Sequence, residues 1–167
     1  MWLEPDCNVT SGESLVRQLA QGARFFAEEF GVHSRLVWLP DVFGYSAALP
    51  QIMRGCGIST FMTTKISWNQ FNRMPNDTFR WRGIDGSAVL THFITASADK
   101  PKHPADAQFY TYVGRMSGQE AFGLWEHYRQ KPINQELLYT YGWGDGGGGP
   151  TEEMLEAARA LDRLPGF

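Results

Sequence analysis

Residues 35–64 read RLVWLPDVFGYSAALPQIMRGCGISTFMTT, and this stretch decides the class of fold. Residues 35–39 are apolar enough for a short buried strand, and residues 58–64 are rich in the β-branched and aromatic side chains of a second strand. Between them, Ser46 can cap a brief helix that accommodates Pro50 in its first turn and ends at glycine. The order strand, helix, strand predicts a layered α/β fold with parallel strands.

A helix is expected before this stretch. Thr10 and Glu13 form a T-x-x-E capping box, and Gly31 is a stop signal, so the helix should run over roughly residues 11–30. Its apolar stripe consists of Leu15, Leu19, Phe26 and Phe30.

A β-hairpin is expected after residues 35–64. Residues 78–82 alternate between polar and apolar side chains, residues 88–95 are apolar and β-rich, and Ile84-Asp85-Gly86 forms a turn between them. The remaining segments are predicted to be an exposed loop at 96–110, a helix at 117–130, a last strand at 137–141 and a final helix capped by Thr151.

The composition excludes several classes of function. The chain has 167 residues, a net charge of −3 and no extended cluster of Lys or Arg, which disfavours binding to nucleic acid or to an anionic membrane. No apolar stretch reaches the ~20 residues that a membrane span needs. Its two cysteines are too sparse for a disulfide scaffold, which favours a reducing compartment. We therefore expect one soluble cytoplasmic domain.

Two aspartates stand beside glycine at the predicted ends of strands, Asp41 in WLPDVFG and Asp145 in GWGDGGGGP. Ligands of α/β proteins bind at the carboxyl ends of parallel strands, so both carboxylates should face one crevice. Two carboxyl groups flanking a sugar bond are what glycoside hydrolysis requires. The alternative is that each aspartate is a helix cap or a turn residue.

The glycine run 146–149 also invites comparison with a phosphate-binding loop. It lacks the Gly-Lys-Ser/Thr ending, and the preceding carboxylate would repel a phosphate. A phosphate site is therefore disfavoured here, and a flexible turn explains the glycines more simply.

Four segments carry a specific resemblance: MWLEPDCNVTSGESLVRQ, PDVFGYSAALPQI, TTKISWNQFNRMPNDTFRWRGIDGSAVLTHFIT and GWGDGGGGPT. They resemble successive blocks of glycoside hydrolase family 38, the class II α-mannosidases, and most closely its cytosolic and bacterial branch. The family implies a seven-stranded parallel (β/α) barrel and zinc-dependent, retaining hydrolysis of terminal α-mannosides. Residues 1–167 would form part of the N-terminal catalytic domain, and the partner would be a mannose-containing oligosaccharide.

The resemblance also implies roles for individual residues. Asp41 matches the aspartate that serves as nucleophile and zinc ligand, and Asp145 lies in the acid/base block, although some branches carry two adjacent acids there. Trp2 and Asp6 match the segment that borders the mannose subsite, and Lys65 matches a basic residue near the sugar. The alternatives are that Trp2 packs in the core and that Lys65 is a solvated surface charge.

The chain departs from the family at the metal site. The resemblance places two zinc ligands in a His-x-Asp motif upstream of the first matched block and another histidine far downstream, and none of the four histidines here, His33, His92, His103 and His127, corresponds to these. A tetrahedral zinc site takes three or four protein ligands. We therefore expect a fragment that is inactive alone and does not hold Zn²⁺ stably, while the oligomeric state of its parent stays open.

A truncated barrel should also leave apolar side chains uncovered, and the expected ones are Leu36, Trp38, Phe61 and Leu138. A rival hypothesis is a catalytically inactive sugar-binding or interaction module that uses Trp2, Trp68, Trp81 and Trp143 as platforms. A second rival, a polysaccharide deacetylase, would need histidine ligands that this sequence does not place.

Overall fold

The computed structural model describes residues 1–69, 71–96 and 110–165. Within these ranges the chain forms two compact units. The first consists of Met1–Ile66 and Thr78–Phe93, and the second of Ser67–Asp77 and Ile94–Phe167. Most of the loop expected at 96–110 lies outside the described residues.

The first unit is a mixed α/β layer built on one four-stranded sheet. Strand order is β1-β2-β4-β3; β1, β2 and β4 are parallel, and β3 pairs with β4 as an antiparallel hairpin. The α/β class, the parallel strands of residues 35–64 and the hairpin are thus confirmed. The elements are α1 (Gly12–Phe30), β1 (Leu36–Trp38), α2 (Leu49–Gly55), β2 (Thr60–Thr63), β3 (Thr78–Arg82) and β4 (Ala88–Phe93).

Helix α1 has the predicted extent but a different cap. The hydroxyl of Ser11 accepts the backbone N–H of Ser14 at 3.2 Å, so the helix is capped one residue after Thr10 and the predicted capping box is wrong. Gly31 ends the helix with a φ of 64°, which favours glycine. Leu15 and Leu19 are buried, as expected of the apolar stripe, but Phe26 and Phe30 at its end are exposed.

Helix α2 also begins differently from the expectation. Its N-cap residue is Ala48, which makes no side-chain capping hydrogen bond, and Pro50 lies in the first turn. The hydroxyl of Ser46 accepts the N–H of Ala48 at 3.2 Å, ahead of the helix. Ser46 therefore stabilises the turn that leads into α2 and does not cap the helix.

The register of the sheet separates a covered face from an open one. Val37 pairs with Phe61, which pairs with Thr91, and all three side chains are buried with the core. Alternate residues point to opposite faces, so Leu36 and Trp38 lie on the other side and remain 40% and 38% exposed. Exposure of these two residues is confirmed, whereas the prediction for Phe61 is wrong because it points into the core.

The described residues of the second unit include the helices α3 (Gly118–His127) and α4 (Glu152–Leu161). Thr151 caps α4 as predicted, since its hydroxyl accepts the N–H of Met154 at 3.3 Å. The strand predicted at 137–141 is wrong: in the described part of this unit, Tyr141 forms only an isolated bridge with Gly114, which is not part of a ladder. Leu138 is 43% exposed, as expected.

No helix within the described ranges is long and apolar enough to cross a membrane.

Candidate functional site

Asp41 lies at the carboxyl end of β1, as predicted. The N–H of Leu39 donates to the carbonyl oxygen of Met62 at 3.1 Å, which extends the pairing of β1 with β2 beyond the strand. The buried hydroxyl of Thr64 then donates to the carbonyl oxygen of Pro40 at 2.9 Å. These bonds fix the backbone immediately before Asp41.

Lys65 meets Asp41 directly. It follows the carboxyl end of β2, and its Nζ lies 2.9 Å from Oδ1 of Asp41. The Lys65 side chain is only 10% exposed, so the alternative of a solvated surface charge is wrong. Oδ1 of Asp41 is buried while the side chain as a whole is 38% exposed, so the accessible surface belongs to its remaining atoms. One carboxylate oxygen is thus held by a cation, and the rest of the group stays accessible.

Tyr45 stabilises the loop that carries Asp41. Its hydroxyl donates to the carbonyl oxygen of Leu39 at 2.9 Å and lies 2.5 Å from Oγ1 of Thr63. Its ring packs edge-on against Phe61, with centroids 4.8 Å apart. Burial raises the pKa of the Tyr45 hydroxyl, so it stays neutral and keeps these contacts across the physiological range.

The N-terminal segment (residues 1–9) begins against helix α1. The N–H of Trp2 donates to the carbonyl oxygen of Gln18 at 2.8 Å, and the Trp2 ring packs edge-on against Phe25 at a centroid distance of 5.3 Å. Trp2 is nonetheless 53% exposed, so the alternative of a core tryptophan is wrong.

Asp6 shapes a turn in the same segment. Its Oδ1 accepts the N–H groups of Asn8 at 2.8 Å and Val9 at 2.7 Å, and these bonds lower the pKa of the exposed Asp6 carboxyl. Next to it, Cys7 forms a parallel bridge with Tyr45. Burial raises the pKa of the Cys7 thiol to about 11. The segment therefore runs alongside the loop after β1, with Trp2 and Asp6 both at the surface.

Sequence reasoning missed Glu4. Its Oε1 accepts the backbone N–H of Asp41 at 2.8 Å, across 37 positions of chain. The only local signal was its place between two residues that the resemblance singled out, Trp2 and Asp6. A glutamate in an exposed loop has no pattern that identifies its partner.

Asp145, in the second unit, does not follow a strand, which corrects the prediction. Trp143 and Gly149 exchange two backbone hydrogen bonds of 2.8 and 2.9 Å, and the residues between them form a tight loop. Asp145 has a φ of 53°, in the left-handed region, and the four glycines after it also have positive φ. This conformation cannot continue a strand, so the exposed Asp145 carboxylate is presented by a turn.

An open cleft of about 360 Å³ lies beside this turn. The Arg115 guanidinium lies 5.3 Å from the centre of the Trp143 ring. The carboxylate of the buried Glu120 accepts hydrogen bonds from the Tyr139 hydroxyl and from the backbone N–H of Arg115, the latter at 2.7 Å. A cation, an aromatic ring and a carboxylate suit a polar ligand with an apolar face, such as a sugar. The lining residues are Thr111, Val113, Arg115, Glu120, Trp143, Gly144 and Asp145.

Asp41 and Asp145 belong to different units, and their pairing across one crevice stays a prediction. The same holds for the roles assigned to Trp2, Asp6 and Lys65 in sugar binding.

The described residues do not fit a zinc ion on their own. Nowhere in those ranges do three or more His, Cys, Asp or Glu side chains converge as a metal site would require. The cation at Oδ1 of Asp41 is the Lys65 ammonium. His92 is bonded through Nδ1 to the Thr78 hydroxyl at 2.8 Å, and His127 has its pKa lowered mainly by burial. His103 lies outside the described residues.

The fold and this site define an α/β protein that presents a carboxylate at the carboxyl end of a parallel strand. The model of the glycosyl hydrolases family 38 N-terminal domain matches residues 1–167, and the chain belongs to this family. It is therefore part of a glycosidase family, as the resemblance implied.

Curated relatives are α-mannosidases. The chain is 45% identical over 166 residues to Alpha-mannosidase 2C1 of Mus musculus and equally to that of Homo sapiens, covering 99% of this chain and 15% of each relative. Alpha-mannosidase of Saccharomyces cerevisiae is 46% identical over 160 residues, which is 96% of this chain and 14% of the relative. The chain thus spans about 15% of the length of these relatives.

A solved structure shares the fold. The chain superimposes on an α-mannosidase from Enterococcus faecalis V583 with a TM-score of 0.61 and 16% sequence identity, over 98% of this chain and 18% of that one. At this identity the similarity supports the fold alone.

Proposed function

We propose that the chain supplies the nucleophile-bearing part of an α-mannosidase catalytic domain, and that its parent hydrolyses terminal α-mannosides with retention. The observation that carries this proposal is the position of Asp41 at the carboxyl end of β1, with one oxygen bound to Lys65 and the remaining side-chain atoms accessible. The family membership and the α-mannosidase relatives support it. The four-stranded sheet would belong to a seven-stranded barrel.

The reaction needs two carboxyl groups, one ionised to act as the nucleophile and one protonated to act as the acid. Asp41 would attack the anomeric carbon, while Asp145 would protonate the leaving oxygen and then remove a proton from the attacking water. Lys65 would keep the Asp41 carboxylate oriented through Oδ1. Trp2 and Asp6 would border the mannose unit of an oligosaccharide substrate. The exposed position of Asp145 beside a cleft is compatible with proton transfer to a bound sugar.

Zinc binding would need further ligands from outside the described residues. In the parent, Asp41 would contribute one carboxylate ligand, and the metal would supply electrostatic binding of sugar hydroxyls. The 167-residue chain alone should not retain zinc. We also propose a cytoplasmic location, which the two free thiols, Cys7 and Cys56, support.

The proposal is tested by Asp41→Asn in the parent protein, assayed on an aryl α-mannoside. Loss of the nucleophile should lower kcat by at least about 10³-fold, since residues of such a unit contribute on this scale. Asp85→Asn is the matched control, because the exposed Asp85 carboxylate accepts its hydrogen bonds from Ser87 within the β3–β4 turn. Equal activity of both variants would refute the role of Asp41.

The chain alone should be inactive even with added zinc. Turnover by this chain that requires zinc and disappears in Asp41→Asn would overturn that part of the proposal.

A second candidate is a sugar-binding module without catalysis, and it is favoured by the half-exposed rings of Trp2 and Trp143. Trp81 does not serve this role, because it packs 5.4 Å from Phe61 in the core of the first unit. Mannoside binding that persists in Trp2→Ala and Trp143→Ala would exclude this candidate. Binding lost in these variants, without hydrolysis by the parent, would favour it.

A further inference from the structure

Two side chains restrain Asp41 from different directions. Lys65 binds the side-chain oxygen Oδ1 at 2.9 Å, and the Glu4 carboxylate accepts the backbone N–H at 2.8 Å. Together these contacts restrain both the backbone and the side chain of Asp41.

Three other contacts bring Glu4 to this position. At the start of the N-terminal segment, Gly22 of α1 is packed so closely that a Cβ there would lie 2.3 Å from the carbonyl carbon of Met1. Further along, Cys7 bridges to Tyr45. Beyond it, the Asn8 side chain packs so closely on Gly44 that an added Cβ there would lie 2.4 Å from Nδ2 of Asn8. The segment is therefore attached on both sides of Glu4, to α1 and to the loop after β1.

We propose that Glu4 is a positioning residue that holds the Asp41 backbone through its N–H and so aims the Asp41 carboxylate. The effect depends on the acceptor oxygen and not on the negative charge. Its consequence for catalysis rests on the proposed function, but the positioning itself does not. Glu4 also couples the segment that carries Trp2 and Asp6 to the end of β1.

The first test compares Glu4→Ala with Glu4→Gln. Glutamine keeps an acceptor oxygen at the same place, whereas alanine removes it. In Glu4→Ala the Asp41 amide should exchange its hydrogen at least about tenfold faster, and the buried Cys7 thiol should be alkylated faster as the segment loosens. In Glu4→Gln both rates should stay within about twofold of the unsubstituted protein. Glu13→Ala, which removes an exposed ion pair with Arg17 on α1, is the control.

The second test measures kinetics in the parent on an aryl α-mannoside. Glu4→Ala should lower kcat about tenfold with little change in KM or in the thermal midpoint, and Glu4→Gln should restore most of kcat. A global folding defect would instead lower the midpoint in Glu4→Ala.

The outcomes separate the proposals. Unchanged amide exchange in Glu4→Ala would overturn the positioning role, and a Glu4→Gln variant that behaves like Glu4→Ala would show that the charge matters instead. Faster exchange in Glu4→Ala together with full activity of Asp41→Asn would leave the positioning intact and refute the proposed function.

Discussion

Nζ of Lys65 lies 2.9 Å from Oδ1 of Asp41, and the two residues follow neighbouring parallel strands of one sheet. The lysine is 10% exposed and the aspartate 38% exposed, so water screens this pair less than it screens a surface pair. The Lys65 ammonium also lies 5.0 Å from the centre of the exposed Phe43 ring. The site thus has a built-in cation beside its accessible carboxylate.

This pair should contribute measurably to stability. Lys65→Met keeps the apolar stem but removes the charge, and it should lower the free energy of unfolding by about 1 kcal/mol. The matched control is Arg17→Met, because the Arg17–Glu13 pair has the same kind of contact at 2.8 Å but side chains that are 69% and 68% exposed. That variant should lose no more than about 0.5 kcal/mol. Urea unfolding measures both, and equal losses would contradict the interpretation.

The N-terminal segment packs on α1 at Gly22. Replacing glycine by alanine should therefore have opposite effects on stability at two positions of this helix. Alanine is favoured over glycine inside helices by about 1 kcal/mol. At Gly22, however, the added Cβ would lie 2.3 Å from Met1 and 2.6 Å from the Trp2 nitrogen, so Gly22→Ala should destabilise the protein by about 1–2 kcal/mol.

The control is Gly12→Ala, where nothing lies within 4 Å of the added carbon. This change should be neutral or stabilise the protein by up to about 0.5 kcal/mol. Thermal unfolding followed by circular dichroism distinguishes the two. A stabilised Gly22→Ala variant would mean that the segment does not rest on the helix.

The sequence predicted those features whose signals are local. Residues 35–64 contain apolar runs broken by glycine and proline, and the β3–β4 hairpin is marked by a turn at Asp85-Gly86. Residues 137–141 have the composition of a strand, but a strand also needs a partner ladder, and Tyr141 finds only the single bridge to Gly114. Composition does not encode that partner.

In the candidate site, too, only the residues with a local signal can be identified from the sequence. Asp41 was identifiable because an acidic residue directly after an apolar run is unusual. Its two partners, Lys65 and Glu4, lie 24 and 37 positions away in the chain, and only the fold brings them to it. The apolar run before Asp145 predicts a strand that ends there, but a backbone turn presents this residue instead.

In the second unit, Asp77 should be a major determinant of stability. Its side chain is 2% exposed, and its carboxylate accepts hydrogen bonds from Nη2 of Arg73 at 2.8 Å and from the backbone N–H of Arg129 at 2.9 Å. Asp77→Ala leaves the Arg73 guanidinium, only 20% exposed, without its carboxylate, and should cost about 3 kcal/mol. Urea unfolding of this variant should show a correspondingly lower midpoint.

Asp162→Ala is the control for this prediction, because Asp162 is exposed at the end of α4. It should change the free energy of unfolding by less than about 0.5 kcal/mol. Asp77→Asn keeps the shape and one acceptor oxygen, so its cost should fall between those of the two alanine variants. A loss in Asp77→Ala no larger than that in Asp162→Ala would show that the buried pair is not essential.

The open face of the sheet should bind apolar molecules when the chain is prepared alone. Leu36 lies on the edge strand β1 and is 40% exposed, and in the register of the sheet it aligns with Leu90, which is 47% exposed. Apolar sheet faces and unpaired edges of this kind promote association. We therefore expect the 167-residue chain to bind an apolar fluorescent dye and to elute as oligomers or aggregates.

Leu36→Ser should reduce both effects, whereas Val9→Ser, at a position that is 87% exposed in the N-terminal segment, should not. A monodisperse monomer that binds no dye would contradict this prediction, because its apolar sheet face would then be tolerated in water.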